Sequence, residues 1–218
     1  MRGLVRPLLN LLIVAGLVLA AWPVGQTLYG LWSQRSLASQ WQPAKKAAAP
    51  LTKPKAAPKA KPTRQAASLD SDSPAAGLPA PRKKRQPWSL TKFSIPDIDL
   101  ETFVVQGTDP AALRRGPGHD PNSSLPGSGN CVIAGHRNVY GSFFYRLDEL
   151  MPGAIITMEN RDGKWNYLVN SVYQASAADL SVLDPPTSSQ SPILTLITCT
   201  LPHSSDRIIV RADLQVEE

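Results

Sequence analysis

No charged residue falls between Arg6 and Arg35, and acids are scarce far beyond that. Residues 1–87 hold 14 Lys and Arg against 2 Asp and Glu, a net of +12. Residues 88–218 hold 9 against 15, a net of −6. The pI of 9.5 therefore describes the N-terminal part. It gives no ground for reading the whole chain as a nucleic-acid binder. Cysteine is also scarce: Cys131 and Cys199 are all there is. Two cysteines exclude a many-bridged disulfide scaffold. They leave either one bridge or one buried and one reactive thiol. Histidine is limited to His119, His136 and His203, and no internal repeat is visible.

The uncharged stretch has a use. From Leu8 to Val24 it is dense in Leu, Val, Ile and Ala, with a milder tail to Trp32. A bilayer takes about 20 apolar residues to cross, and Trp22, Tyr29 and Trp32 suit its interfacial end. Residues 1–7 then form a short cytoplasmic N-terminus and residues 8–32 a transmembrane anchor. The competing reading is a cleaved signal peptide, with Arg2 and Arg6 as the charged region and Val18-Leu19-Ala20 as the cleavage site. The anchor is favoured because the uncharged stretch outruns a usual signal core. Either way residues 88–218 lie outside the cytoplasm if the N-terminus stays in. The basic residues themselves leave orientation open, since Arg35, Lys45 and Lys46 rival Arg2 and Arg6.

Residues 33–87 form a spacer rich in Ala, Pro and Lys, as in Lys53-Pro54-Lys55-Ala56-Ala57-Pro58-Lys59. Aliphatic residues are too few to offset the entropy of ordering the chain. Proline and like charges keep it disordered yet extended, which would hold the domain off the membrane. Its lysines could also meet anionic lipid or envelope polymer.

From Trp88 onward short β-runs alternate with Pro, Gly, Asn and Ser. Strands are expected over 90–95, 98–105, 131–135, 155–158, 165–173, 193–198 and 208–214. A short helix is expected at 109–113, capped by Asp109 with Pro110 in its first turn. A loop is expected at 116–130 and a helical turn at 143–150. About eight strands with few helices predict an all-β closed barrel or sandwich in one domain, 88–218.

Cys199 ends the apolar run Ile193–Thr198, where a scaffold can present a side chain to substrate. Cys131 opens the run Cys131-Val132-Ile133-Ala134 and belongs in the core. A thiol needs a base or cation to become a nucleophile at neutral pH. His136 follows the strand at 131–135, at a second strand end. Arg207 opens the next strand after Cys199, a hairpin's length on. Arg211 lies four residues further, about 13 Å along an extended strand, so Arg207 is the better placed. His203 is a reserve candidate base. His119, in its Gly/Pro loop, reads as a structural hydrogen-bonding residue. Asp97, Asp99, Glu101, Asp179 and Asp184 could form a calcium site, but scattered acids on a β-surface are ordinarily solvated; no metal or cofactor is assigned.

Thr195-Leu196-Ile197-Thr198-Cys199, Ile133-Ala134-Gly135-His136-Arg137 and Arg207-Ile208-Ile209-Val210-Arg211-Ala212 occur in this order. Together they resemble the cysteine, histidine and arginine segments of the sortase family. Gly116-Pro117-Gly118-His119 and Leu125-Pro126-Gly127 resemble the stretch before the histidine. The short connection from Cys199 to Arg207 is most similar to class E or class D. The resemblance implies an eight-stranded sortase-like β-barrel and cysteine transpeptidase chemistry. Cys199 would be the nucleophile, His136 the proton carrier and Arg207 the oxyanion and substrate donor; Thr198 would add a hydroxyl contact to substrate. It implies as partners surface proteins bearing a C-terminal Leu-Pro-x-Thr-Gly-like signal and an amine acceptor in peptidoglycan or a pilin. It also implies a single-pass membrane location. A hydrolase of the same fold and a catalytically silent anchored scaffold are the alternatives. The Ser-x-Gly-Cys type motif of peptidoglycan L,D-transpeptidases is missing. Cys131 stands where the family is usually aliphatic, and is expected buried and reduced.

Overall fold

Strict alternation along the strands sends one set of side chains inward, and eight strands close around it. The structure, a computed structural model, describes residues 2–41, 88–187, 191–200 and 205–215. The strands are β1 (Thr91–Ile95), β2 (Leu100–Gln106), β3 (Gly118–His119), β4 (Asn130–Ala134), β5 (Ile155–Asn160), β6 (Gly163–Ser176), β7 (Ile193–Cys199) and β8 (Asp206–Leu214). They form a closed barrel in the order β1-β2-β3-β4-β7-β8-β6-β5. Most pairs are antiparallel. β2 with β3 and β4 with β7 are parallel.

Inside lie Phe93, Ile95, Val104, Cys131, Ile133, Ile156, Met158, Tyr167, Leu194, Leu196, Val210 and Ala212, all at 0% exposure. Burial of each large aliphatic or aromatic side chain contributes about 1.5–3 kcal/mol. The Tyr167 hydroxyl enters this core with a partner, accepting from the Gly127 N–H at 2.8 Å. Short helices sit between strands. In α2 (Pro110–Arg115) the Asp109 carboxylate accepts from Ala111 N and Ala112 N at 2.9 and 3.1 Å, with Pro110 in the first turn. This is the cap expected from the sequence. β3 lies inside the stretch expected to be loop; it is only two residues long, too short to carry a period.

Helix α1 runs unbroken over Arg2–Gln40. At 1.5 Å per residue its 39 residues reach about 58 Å, against about 30 Å for a bilayer core. Its last turns pack on the barrel. Here the structure corrects the expected boundary: residues 33–40, grouped with the spacer, continue the helix. Leu37 is buried against Val105 and Ala112, and Ser33 is buried. Gln34 supplies the decisive contact. β3 pairs with β2 only from Val105, which leaves the Phe103 backbone open on that side. The Gln34 amide fills the gap: Nε2 donates to Phe103 O (3.1 Å) and Arg115 O (2.9 Å), and Oε1 accepts from Phe103 N at 2.7 Å. One side chain thus does the work of a missing strand.

Trp41 then packs on Phe103, with ring centroids 6.1 Å apart, beneath the Lys92 ammonium at 5.8 Å. Residues 42–87 lie outside the described residues. The chain returns at Trp88, whose indole donates to Val104 O at 3.1 Å. The Ala/Pro/Lys spacer expected from the sequence falls on residues 42–87 for all but its first turns.

Candidate active site

Register builds the site. In the parallel pair β4–β7, Ala134 lies opposite Ile197. The link continues one residue further, with Gly135 N donating to Ile197 O at 3.0 Å and the Thr198 hydroxyl donating to Gly135 O at 2.9 Å. His136 and Cys199 each stand two residues beyond the Ala134–Ile197 pair, so they end up level. On the other side of β7, Cys199 lies directly opposite Arg207 in the antiparallel β7–β8 register. Strands are about 4.8 Å apart, so the three Cα atoms form a row about 10 Å long.

Alternation fixes the face. Leu194, Leu196 and Thr198 point inward along β7, as do Ile208 and Val210 along β8 and Ile133 along β4. Gly135 keeps the inward phase, and a Cβ there would strike the Phe144 ring at 2.6 Å. His136, Cys199 and Arg207 therefore take the opposite, outer phase. Cys199 is exposed. The Arg207 guanidinium donates to Asp206 O at 3.0 Å and Ser205 O at 3.4 Å, so here it folds back on its own turn. Its closeness to Cys199 is a matter of register.

His136 is half-buried. Its ring faces Tyr140, with centroids 5.4 Å apart and planes at 42°, and Arg114 lies over Tyr140 at 5.7 Å. Burial, and secondarily the Arg114 charge, hold the imidazole below its ordinary pKa. It is therefore mostly neutral at pH 7, ready to accept a proton. Sequence reasoning missed Arg114 and Tyr140. Both come from other segments, α2 and the turn after His136, and no spacing in the chain points to either.

Thr198, expected to add a hydroxyl contact to substrate, is 2% exposed: alternation puts it on the barrel's inner face, and its hydroxyl donates to Gly135 O. Cys131 and Cys199 are both free. Cys131 pairs with Leu194, five residues up β7 from Cys199. That is about 16 Å along a strand, far beyond the roughly 7 Å limit for a disulfide. Burial pushes the Cys131 thiol pKa far up, so it stays protonated. His119 is buried, its Nε2 within hydrogen-bond distance of Ser124 O (2.9 Å) and the Ser123 hydroxyl (3.1 Å), and it stacks on Trp88 at 4.2 Å. Its place is structural, as expected. Arg211 lies opposite Thr195, away from Cys199. His203 lies outside the described residues. Among the described residues no group of three or more His, Cys, Asp or Glu is placed to hold a metal ion.

A closed β-barrel presenting a free thiol, an imidazole and a guanidinium on one outer face has the makings of a cysteine acyltransferase or hydrolase. Comparison with known proteins narrows this. The Sortase domain family model matches residues 93–215, and the chain belongs to the sortase family, whose members are cysteine transpeptidases. It is similar to Sortase A of Streptococcus agalactiae serotype III, 27% identical over 68% of this chain and 62% of that protein. It is also similar to Sortase SrtE1 of Streptomyces coelicolor, 32% identical over 71% of this chain and 48% of that one. The chain thus spans about half to just under two thirds of these curated relatives. Among solved structures, a Clostridium perfringens sortase D5 transpeptidase matches with TM-score 0.54 and 29% identity, covering 59% of this chain and 79% of that one. A mutant sortase E from Streptomyces avermitilis matches with TM-score 0.52 and 28% identity, covering 59% and 88%. The N-terminal helix, long and apolar enough to cross a membrane, fits a single-pass anchor.

Proposed function

We propose that this protein is a membrane-anchored sortase, its barrel outside the cytoplasm, acting on surface proteins with a Leu-Pro-x-Thr-Gly-like C-terminal signal. The observation that carries the reading is the row His136–Cys199–Arg207 at the ends of three adjacent strands, on one outer face. Neutral His136 takes the Cys199 proton as the sulfur attacks the carbonyl of the Thr-like residue. Arg207 swings from its own turn to donate to the oxyanion; a donor of this kind is worth about 3–4 kcal/mol at the transition state. As the peptide bond breaks, the imidazolium passes its proton to the leaving amine, and a thioester remains on Cys199. An incoming amine of peptidoglycan or a pilin then gives up a proton to His136 and displaces the thiolate, forming a new amide. Relatives of both the D and E kinds support those classes as the comparison set for signal specificity.

The test is product analysis. The detergent-solubilised full chain is incubated with a sorting-peptide library and oligoglycine. The reading expects an amide-linked product that disappears in Cys199→Ala. Hydrolysed peptide alone, undiminished by added amine, would make the protein a cysteine hydrolase. No product of either kind, with Cys199→Ala retaining full function in cells, would make it a scaffold.

A further inference from the structure

The anchor helix touches the segment that carries His136. Gly30 of α1 is buried, and a Cβ on it would come within 2.4 Å of Tyr140 O, 2.6 Å of Tyr140 C and 3.0 Å of Gly141 N. The obstacle is backbone, which cannot swing aside like a side-chain tip. The turn it presses on is unusual. Tyr140, Gly141 and Ser142 have φ of 51°, 93° and 50°, and two of them are non-glycine residues in the left-handed region. Such residues are strained and persist only when their surroundings hold them. This turn is held at both ends. Ser142 N donates to Val139 O at 3.0 Å, Phe144 N donates to His136 O at 3.2 Å, and the Tyr140 ring lies against the His136 imidazole. About one and a half helical turns toward its N-terminus α1 leaves the barrel. There Gly25 lines an open cleft of about 660 Å³ with Trp22, Tyr29, Arg114 and Tyr140, and a Cβ on Gly25 meets nothing within 4 Å.

From this geometry we infer that α1 is a positioning element of the site as well as an anchor: Gly30 seats on the Tyr140–Gly141 backbone and holds the strained turn that orients His136. Glycine is required at position 30 because only a residue without a Cβ lets the helix close on that carbonyl. The catalytic barrel and its anchor therefore form one working unit, and the anchor's seating sets the imidazole's position relative to Cys199. The functional consequence rests on His136 being the proton carrier; the contact itself does not.

The test compares Gly30→Ala with Gly25→Ala in the full chain. Both substitutions add one methyl to the same helix and favour helix equally, so only the contact differs. In Gly30→Ala, kcat for transpeptidation should fall about tenfold or more, the scale set by sub-ångström to ångström misplacement of a catalytic group. KM should stay within about twofold, the His136 limb of the pH profile should move, and the His136 ring NMR resonances should shift. Gly25→Ala should match wild type in all four. Tyr140→Ala should reproduce the shift and the kcat loss, and Tyr140→Phe should restore both, which keeps the idea testable if Gly30→Ala folds poorly. Wild-type kcat and His136 resonances in a folded Gly30→Ala would overturn it whatever Tyr140→Ala does, and wild-type values in Tyr140→Ala would overturn the link from the turn to the imidazole. If no variant, nor wild type, performs transfer, the proposed function has failed, and the His136 resonances alone still decide whether α1 positions the ring.

Discussion

Replacing Thr198 with valine removes one hydroxyl and almost no volume. That hydroxyl is buried and donates to Gly135 O at 2.9 Å, joining the ends of β4 and β7 one residue before His136 and Cys199. Because the Gly135 carbonyl stays behind without this partner, the loss is on the scale of an unsatisfied buried acceptor, about 1–3 kcal/mol. The added methyl recovers up to about 0.8 kcal/mol of apolar burial. A net destabilisation of about 1–2 kcal/mol follows, or about 3–6 °C in Tm for a domain of this size. Thr195 provides the control. It is equally buried on the same strand, and its hydroxyl donates to the Asn130 side chain at 2.8 Å. It lies four residues before Cys199, about 13 Å along the strand. Thr195→Val should lose similar stability and keep kcat within about twofold. Thr198→Val should also lose about tenfold in kcat, because the strand ends bearing the proposed proton carrier His136 and nucleophile Cys199 are then tied by the Gly135 N–Ile197 O bond alone. Near-UV circular dichroism melts and steady-state transfer kinetics on the full chain measure both. Equal kcat in the two variants, or an unchanged melt for Thr198→Val, would refute the argument that this bond sets the spacing of the site.

Gln34→Ala should expose the Phe103 backbone, and hydrogen exchange at the Phe103 amide should rise at least tenfold while β7 and β8 amides keep their protection. Arg114→Gln removes the smaller of the two causes that lower the His136 pKa; the midpoint in an NMR titration should rise yet stay below the ordinary histidine value, since burial remains. His119 is held below its ordinary pKa mainly by burial, so the folded state binds fewer protons than the unfolded state. Its contribution is complete above about pH 6.5 and is lost as pH falls toward its folded value; urea midpoints should drop over that window, less steeply in His119→Phe. Cys131→Val should cost less than about 1.5 kcal/mol and leave kcat unchanged, and a thiol reagent should label one sulfur in the native wild type.

Much of this was readable in the chain because it depends on local rules. The apolar runs ending at Cys199 and opening at Cys131 have the length of strands, and alternation then decides which side chains face out. The cap at Asp109 follows from Asp-Pro before a helical stretch. What could not be read depends on long-range meetings. Gln34 looks like any polar residue until the unpaired Phe103 backbone is seen beside it, so the chain alone gives no sign that the helix runs on past Trp32. Arg114 and Tyr140 reach His136 from α2 and from a turn whose positive φ values no side chain except Gly141 advertises. For Thr198 the resemblance suggests a contact with substrate, while counting alternation back from an exposed Cys199 turns its side chain inward.

The most direct measurement is the intact mass of the full chain after brief incubation with a sorting peptide and no amine. A thioacyl adduct equal to the N-terminal fragment of the peptide should appear, map to Cys199, vanish in Cys199→Ala, and discharge when oligoglycine is added. An active protein that carries no adduct, or carries it on any residue other than Cys199, would contradict the account.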